Sequence, residues 1–346
     1  MDQPVGPMDV AACAAPAFDD ESQARLRSTA RERRVVVAGS LNVDHLLEVD
    51  GDPDDDGTFL VRRETWHPGG HAGNCAAALA RLGVDVALVA AVGCDEDGDL
   101  LVEDLASSRV DISGVRRIEG MPTGRVTIPL FGARHFMLMA RGANDSLNIS
   151  DVQAALERSA DAVIAFDPAP VALLAIGERL SWVEDAPRLY WTPGGLYARD
   201  ALLDALLPAC ATAFFNRAEF SLARARLDAG RRAPGRRETV VTLGAEGSVL
   251  LEPTGPVKVE APAVACVDPT GAGDVFCAAY VLASLAGLAA ATRLLVANVA
   301  GAHAVTQTGA RGGHLDLDEL IEACEHVTSL ATAANRRIDT NEEFTR

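Results

Sequence analysis

From residue 34 onward the chain is written in short apolar runs separated by polar turns, and the runs are of two kinds. Those at 34–39, 85–92, 161–166, 188–191, 211–215 and 239–243 are almost unbroken in Val, Ala, Leu, Ile and aromatic residues. A run without alternation is apolar on both faces, as in a central strand covered by helices on two sides. From Ile149 onward such runs alternate with helical patterns. That order predicts parallel strands joined by helices in an α/β domain.

Runs of the second kind alternate. A Gly/Pro/Asp cluster at 50–56 precedes Thr58-Phe59-Leu60-Val61-Arg62-Arg63, and 115–139 alternates around turns at 119–122 and 132–134. Alternation fits an antiparallel sheet with one face in solvent. These segments therefore predict a smaller inserted sheet, with lid strands from about 45–66 and 115–139. A hairpin is expected at 249–251 and 257–259.

Helices are predicted from the small residues after Asn74 to Leu82, and over 97–108, 289–305 and 316–334. The apolar run 275–292 is rich in Ala, Gly and Ser and broken by Gly287, which fits a buried helix pair better than a membrane span. Residues 1–33 show no apolar period and are expected to form a poorly ordered extension, 34–334 the folded domain and 335–346 a tail. A basic loop is expected at 231–237.

Charge narrows the functions. Lys and Arg number 31 against 49 Asp and Glu, a net charge of −18. So acidic a chain is unsuited to nucleic acid, whose phosphates require basic surface. Lys258 is the single lysine in the sequence. No Gly-x-x-x-x-Gly-Lys-Ser/Thr can be written, which excludes a P-loop, and the lysine–glutamate pair of protein kinases fails likewise. No Gly-x-Gly-x-x-Gly follows the first strand, which disfavours a dinucleotide-dependent dehydrogenase. The seven cysteines form no metal-ligand spacing. With no secretory signal, they point to a reducing, cytoplasmic setting.

The chemistry gathers at Asp268-Pro269-Thr270-Gly271-Ala272-Gly273-Asp274, where an apolar segment gives way to the long helix pattern. A glycine-rich turn opening a helix aims backbone N–H groups and the positive end of the helix dipole at one spot, a natural phosphate site. Asp274 follows in the first turn, where acids also serve as ordinary caps. An acid beside a phosphate cradle repels its ligand unless it has work to do. Phosphoryl transfer to a hydroxyl supplies that work: the carboxylate takes the proton while the amides stabilise charge on the moving group.

This segment and Gly69-Gly70-His71-Ala72-Gly73-Asn74 together resemble the two signatures of the PfkB carbohydrate kinase family, in particular its ribokinase-like members. Gly39-Ser40-Leu41-Asn42-Val43-Asp44, Gly142-Ala143-Asn144, Thr242-Leu243-Gly244-Ala245-Glu246-Gly247 and Val305-Thr306-Gln307-Thr308-Gly309-Ala310 fall in the family's order, over about residues 34–330. The resemblance implies a ribokinase-like three-layer α/β/α fold with a mostly parallel central sheet and a small β-sheet lid. It implies ATP- and Mg²⁺-dependent phosphorylation of a sugar hydroxyl, with D-ribose the first candidate.

Carried over residue by residue, Asp274 is the base, and the Gly271, Ala272 and Gly273 amides form the anion hole. Asn42, Asp44, Gly70, His71, Asn74 and Asp167 contact the sugar. Asn216, Thr242, Gly244, Gly247 and Asn298 contact the nucleotide. Glu219 holds Mg²⁺ through water, although Asn216 and Glu219 also have the spacing of a plain capping box. Asp268, Thr270, Ala304, Gln307, Gly309 and Gly313 resemble a monovalent-cation loop suited to K⁺. A homodimer through the lid follows from the same likeness.

Two positions depart from ribokinase. His71 stands where a lysine is usual, and Asp167 where a glutamate is usual. Nucleoside kinases of the family share this double-glycine form. Adenosine or cytidine is therefore an alternative substrate, a fructose-type sugar another, and a catalytically silent regulator the alternative from outside enzymology.

Overall fold

A computed structural model describes residues 16–52, 57–132, 134–156, 159–181, 186–230 and 238–343. The basic loop expected at 231–237 lies outside the described residues, as do 1–15 of the expected extension and 344–346 of the expected tail.

The first half runs α1 (Asp20–Glu32), β1 (Arg34–Ala38), β2 (Asn42–Val49), β3 (Val61–Gly69), α2 (His71–Arg81), β4 (Asp85–Gly93) and α3 (Glu96–Ser107). Next come β5 (Asp111–Ile118), β6 (Gly124–Phe131), β7 (Arg134–His135) and β8 (Leu138–Ala140). The second half continues with α4 (Ile149–Leu156), β9 (Ala162–Ala165), α5 (Pro170–Ser181), β10 (Arg188–Trp191), α6 (Gly194–Tyr197), α7 (Leu202–Leu206), β11 (Cys210–Asn216) and α8 (Arg217–Gly230). It closes with β12 (Glu238–Thr242), β13 (Ser248–Glu252), β14 (Gly255–Val259), α9 (Ala272–Leu285), α10 (Ala290–Ala304) and α11 (Leu317–Glu343).

Nine strands form the main sheet in the order β14-β13-β12-β11-β10-β9-β1-β4-β5. It is parallel from β12 to β5 and antiparallel across the β12–β13 and β13–β14 pairs. Because side chains alternate along a strand, β1 supplies both cores. Val35 and Val37 pack with α2, α9 and α10, while Val36 and Ala38 face the layer of α5, α7 and α8. The expected three layers follow from this alternation. The helix pair also appears as expected: α9 and α10 are buried along most of their length.

The second sheet has the order β3-β2-β6-β7, with β8 also paired to β6. Here the structure corrects the sequence reading. β2 and β6 run parallel, so the lid is mixed and not antiparallel. β5, read from sequence as lid from residue 115, pairs in parallel with β4 and forms the far edge of the main sheet. One exposed edge face gives it the same alternation as a lid strand, and the pattern carries no further distinction.

The termini differ too. Residues 20–32, expected to be poorly ordered, form α1, capped where the Asp19 carboxylate accepts the Ser22 N–H at 2.9 Å. Only Leu26, Thr29 and Ala30 of this helix are buried, too few to register as a period. Its charged face meets α11 through Arg27–Asp318 and Gln23–Glu325 contacts. α11 itself continues past 334 into the expected tail, to Glu343.

Candidate active site

The site lies at the C-terminal ends of the parallel strands, where open α/β sheets leave a crevice. Helix α9 enters it through Gly271, whose φ of +77° is open to glycine at little cost. A Cβ there would lie 2.7 Å from the Ala310 carbonyl oxygen, so the turn is pressed against the 305–313 loop. Asp268 ties the two together: its carboxylate accepts the Thr270 N–H at 2.9 Å and the Gly309 N–H at 2.8 Å. Val305 O accepts from the Val267 and Asp268 amides, and Gly313 packs on Ala304. Burial raises the Asp268 carboxyl, but the Thr270 side chain together with these N–H donors outweighs it and holds the group below its usual range.

Gly273 is exposed, with open space where a side chain would stand, whereas Ala272 N is within 3.4 Å of Pro269 O. The next residue, Asp274, is 5% exposed and held from both sides. Asn74 Nδ2 donates to its Oδ2 at 2.9 Å, and His71 Nδ1 lies 3.0 Å from its Oδ1. Each oxygen keeps a lone pair for a further donor, such as a substrate hydroxyl. Asp274 is thus not a bare helix cap.

His71 and Asn74 come from the first turn of α2, which begins at Gly70 with φ +88°. The His71 side chain is 51% exposed to the cleft and its ring stacks on Phe166 with centroids 6.0 Å apart. The Asp274 charge draws its pKa up to about 10 against the opposing effect of burial, so the ring is an imidazolium at neutral pH. It occupies the lysine-like position as a cation, although its residue type alone does not dictate that charge.

Asn42 and Asp44 open β2 and are buried. Asn42 Oδ1 accepts from Asn144 Nδ2 at 2.9 Å, and Asn144 Oδ1 accepts the Leu41 N–H at the same distance. Asp44 packs against Gly69, where a Cβ would sit 2.2 Å from its Oδ2. Burial pushes the Asp44 carboxyl up to about 6, with the His71 charge pulling the other way. Its folded pKa exceeds the unfolded value. Its contribution to stability is therefore full below about pH 4 and lost as pH rises through about 6. Asp44→Asn should then raise the Tm at pH 8, with the gain vanishing in scans below about pH 4. An equal gain at both pH values would show that burial of the charge is not the cause.

Asp167, just past β9, accepts the Ser40 N–H at 3.0 Å and stands 3.9 Å from Arg141 Nη1. Among the described residues, Ser40 Oγ and Arg141 Nη1 are buried without a hydrogen bond. Buried donors without a hydrogen bond are unfavourable unless a ligand or water accepts from them.

A cleft of about 180 Å³ brings together His71, Asp167, Asn216, Glu219, Thr242, Gly273 and Asp274. The expected capping box is present: Glu219 N donates to Asn216 Oδ1 and Asn216 N to Glu219 Oε2, both at 2.9 Å. Glu219 nevertheless lines the cleft, and burial raises its carboxyl with His71 the cation opposing it. Gly244 and Gly247, with φ of +65° and +89°, shape the turn after Thr242. Asn298 is placed elsewhere. It is 4% exposed, accepts from Ser248 Oγ and donates to Val259 O, so its amide pins the β13–β14 hairpin to α10.

Several site residues escaped the sequence reading. Thr192-Pro193-Gly194-Gly195-Leu196 lines the cleft, and a glycine pair two residues after an unbroken strand run was the available signal. Met139 and Phe276 also line it. Arg311 reaches Asn74, and nothing in its local sequence announces that partner.

Comparison with known proteins accords with this geometry. Residues 32–316 match the model of the pfkB family of carbohydrate kinases. The chain is 31% identical over 283 residues to an ATP-dependent ribose-1-phosphate kinase of Halopiger xanaduensis, covering 80% of this chain and 94% of that one. It is 27% identical over 316 residues to a ribokinase of Bacillus subtilis, covering 84% and 99%. Arabidopsis thaliana ribokinase complexed with ribose and ATP superposes with a TM-score of 0.74 at 23% identity, over 84% of this chain and 98% of that one.

Proposed function

The chain belongs to the pfkB family of carbohydrate kinases, and on that premise we propose that it transfers the γ-phosphate of ATP to the primary hydroxyl of a ribofuranose, with D-ribose the leading substrate. The observation that carries this reading is the buried Asp274 carboxylate, gripped by His71 and Asn74 beside the open Gly273 turn. In this reading Asp274 takes the hydroxyl proton as the sugar oxygen bonds to the γ-phosphorus. The bond from that phosphorus to the bridging oxygen breaks, and ADP leaves. The Gly271–Gly273 turn faces the charge that builds on the transferred group. His71 adds a positive charge on the same wall.

Kinases of this family use ATP with Mg²⁺. Glu219 fits such a cation, being a half-buried carboxylate with no salt-bridge partner among the described residues, and would hold it through water. When bound, the ion would screen the phosphate charges. Asp268, Thr270 and the carbonyls of Ala304, Gln307, Gly309 and Gly313 would hold K⁺, in a loop already drawn together by Asp268. Exposed Leu60, Trp66, Phe136, Met137 and Leu138 on the lid support a homodimer through it.

D-ribose is preferred because Asp44, Asp167 and Asp274 surround the sugar position with acids. A neutral polyol can donate to all three, whereas a second phosphate meets repulsion. Ribose 1-phosphate is the second reading, favoured by Arg141 Nη1, which makes no hydrogen bond beside Asp167, and by the name of the Halopiger relative. A panel of D-ribose, ribose 1-phosphate, fructose, adenosine and cytidine, followed by ADP release with and without K⁺, decides. D-ribose should give the highest kcat/KM, with K⁺ raising it. Preference for ribose 1-phosphate would install the second reading, and preference for a nucleoside would overturn both.

A further inference from the structure

Asp274 receives one of its two donors from Asn74, and the orientation of Asn74 is itself imposed from outside the sugar site. An Asn side chain presents a carbonyl oxygen at one end and an NH₂ at the other, so holding the oxygen fixes where the NH₂ points. Asn74 Oδ1 accepts from Arg311 Nε at 3.2 Å, which leaves Nδ2 to face Asp274 Oδ2 at 2.9 Å.

Arg311 sits in the 305–313 loop, 237 residues along the chain from Asn74, with a side chain 13% exposed. Each of its three nitrogens has a partner: beside the Nε contact, Nη1 pairs with Asp104 of α3, and Nη2 reaches toward Gly69 O at 3.5 Å. The glycine at position 73 belongs to this arrangement. A Cβ there would stand 2.6 Å from Arg311 Nη2, so the double-glycine motif leaves the channel through which the guanidinium passes. The loop that carries Arg311 is the one bound to Asp268 through Gly309.

We infer that Arg311 is a positioning residue for the base, acting through Asn74, so that the conformation of the 305–313 loop is transmitted to the Asp274 carboxylate. The chain of contacts runs Asp104–Arg311–Asn74–Asp274 and joins α3, the loop, α2 and α9. A buried arginine paired only for structural reasons would need Asp104 but not the Asn74 oxygen. Lysine cannot replace it, because one ammonium lacks the fixed fork that spans these acceptors.

The inference rests on Asp274 as base, so Asp274→Asn is measured alongside. Arg311→Lys, Arg311→Gln, Asn74→Ala and the Arg311→Lys/Asn74→Ala double variant are compared in the full chain by kcat, KM and thermal melting. Arg311→Lys should lower kcat by about 10- to 100-fold, as expected for a displaced reacting group, with KM for ATP changed by less than about three-fold. In the Asn74→Ala background the same substitution should cost almost nothing further, since neighbours acting through one contact are non-additive. If Asp274→Asn is inactive while the Arg311 and Asn74 effects simply multiply, Arg311 is a structural strut and the inference falls alone. A folded Arg311→Gln protein with unaltered kcat would also end it. An active Asp274→Asn protein would remove both the base and the inference.

Discussion

Asp274→Asn should abolish nearly all turnover, lowering kcat by on the order of 10²–10⁴ while the protein stays folded. The substitution keeps the shape of the side chain and removes its ability to accept a proton. KM for sugar and ATP should change far less than kcat, because the glycine turn and the other side chains around the cleft remain. The same variant carries a second readout. The Asp274 charge is the foremost reason that the His71 pKa lies at about 10, so His71 in the variant should titrate much nearer its ordinary 6.5, as followed by NMR. A folded pKa above the unfolded one means a contribution to stability that is complete below about pH 6.5 and lost as pH rises through about 10. The wild-type Tm should therefore fall across that window for this cause, and the variant should lack that component. An Asp274→Asn protein with near wild-type kcat would end the kinase mechanism proposed for this site.

Gly70→Ala should be the most damaging change that removes no functional group. Residue 70 has φ +88° and ψ +130°, a backbone conformation essentially reserved for glycine, which costs an L side chain about 1–3 kcal/mol. The added Cβ would also lie 2.6 Å from Ser40 O and 2.7 Å from Asn42 N, both backbone atoms with no rotamer to yield. Forced overpacking adds about 1–3 kcal/mol more. For a chain of this size a Tm loss of about 3–8 °C follows. Activity should fall further than stability alone explains, because relief of the clash moves β2, with Asn42 and Asp44, away from α2, with His71 and Asn74. Gly83→Ala is the control: φ is +86°, but nothing lies within 4 Å of the new Cβ. It should show the backbone penalty without the clash and leave kcat intact. Equal losses in the two variants would mean that the β2–α2 contact has no special role.

Much of this could be read along the chain. The unbroken runs gave the parallel strands, since a strand buried on two faces has no polar positions to alternate. The glycine-rich turn before the small-residue run located the start of α9, because its geometry is local to one turn. The Asn216–Glu219 box closes within four residues and was equally visible. Asn298, by contrast, is placed near the nucleotide by the family resemblance alone, whereas its amide is hydrogen-bonded to Ser248 and Val259.

What the linear order determined by itself was the set of local conformations: which runs are strands or helices, and where glycine permits a tight turn at a helix start. Those outcomes depend on neighbours a few residues away. Tertiary structure alone decided that β5 edges the main sheet, that 20–32 folds onto α11, and that Asp274 meets His71 203 residues away and, through Asn74, Arg311. Contacts of that span fix the charge and orientation of a side chain. They are absent from periodicity because no spacing rule connects residues that meet only once the sheet has closed.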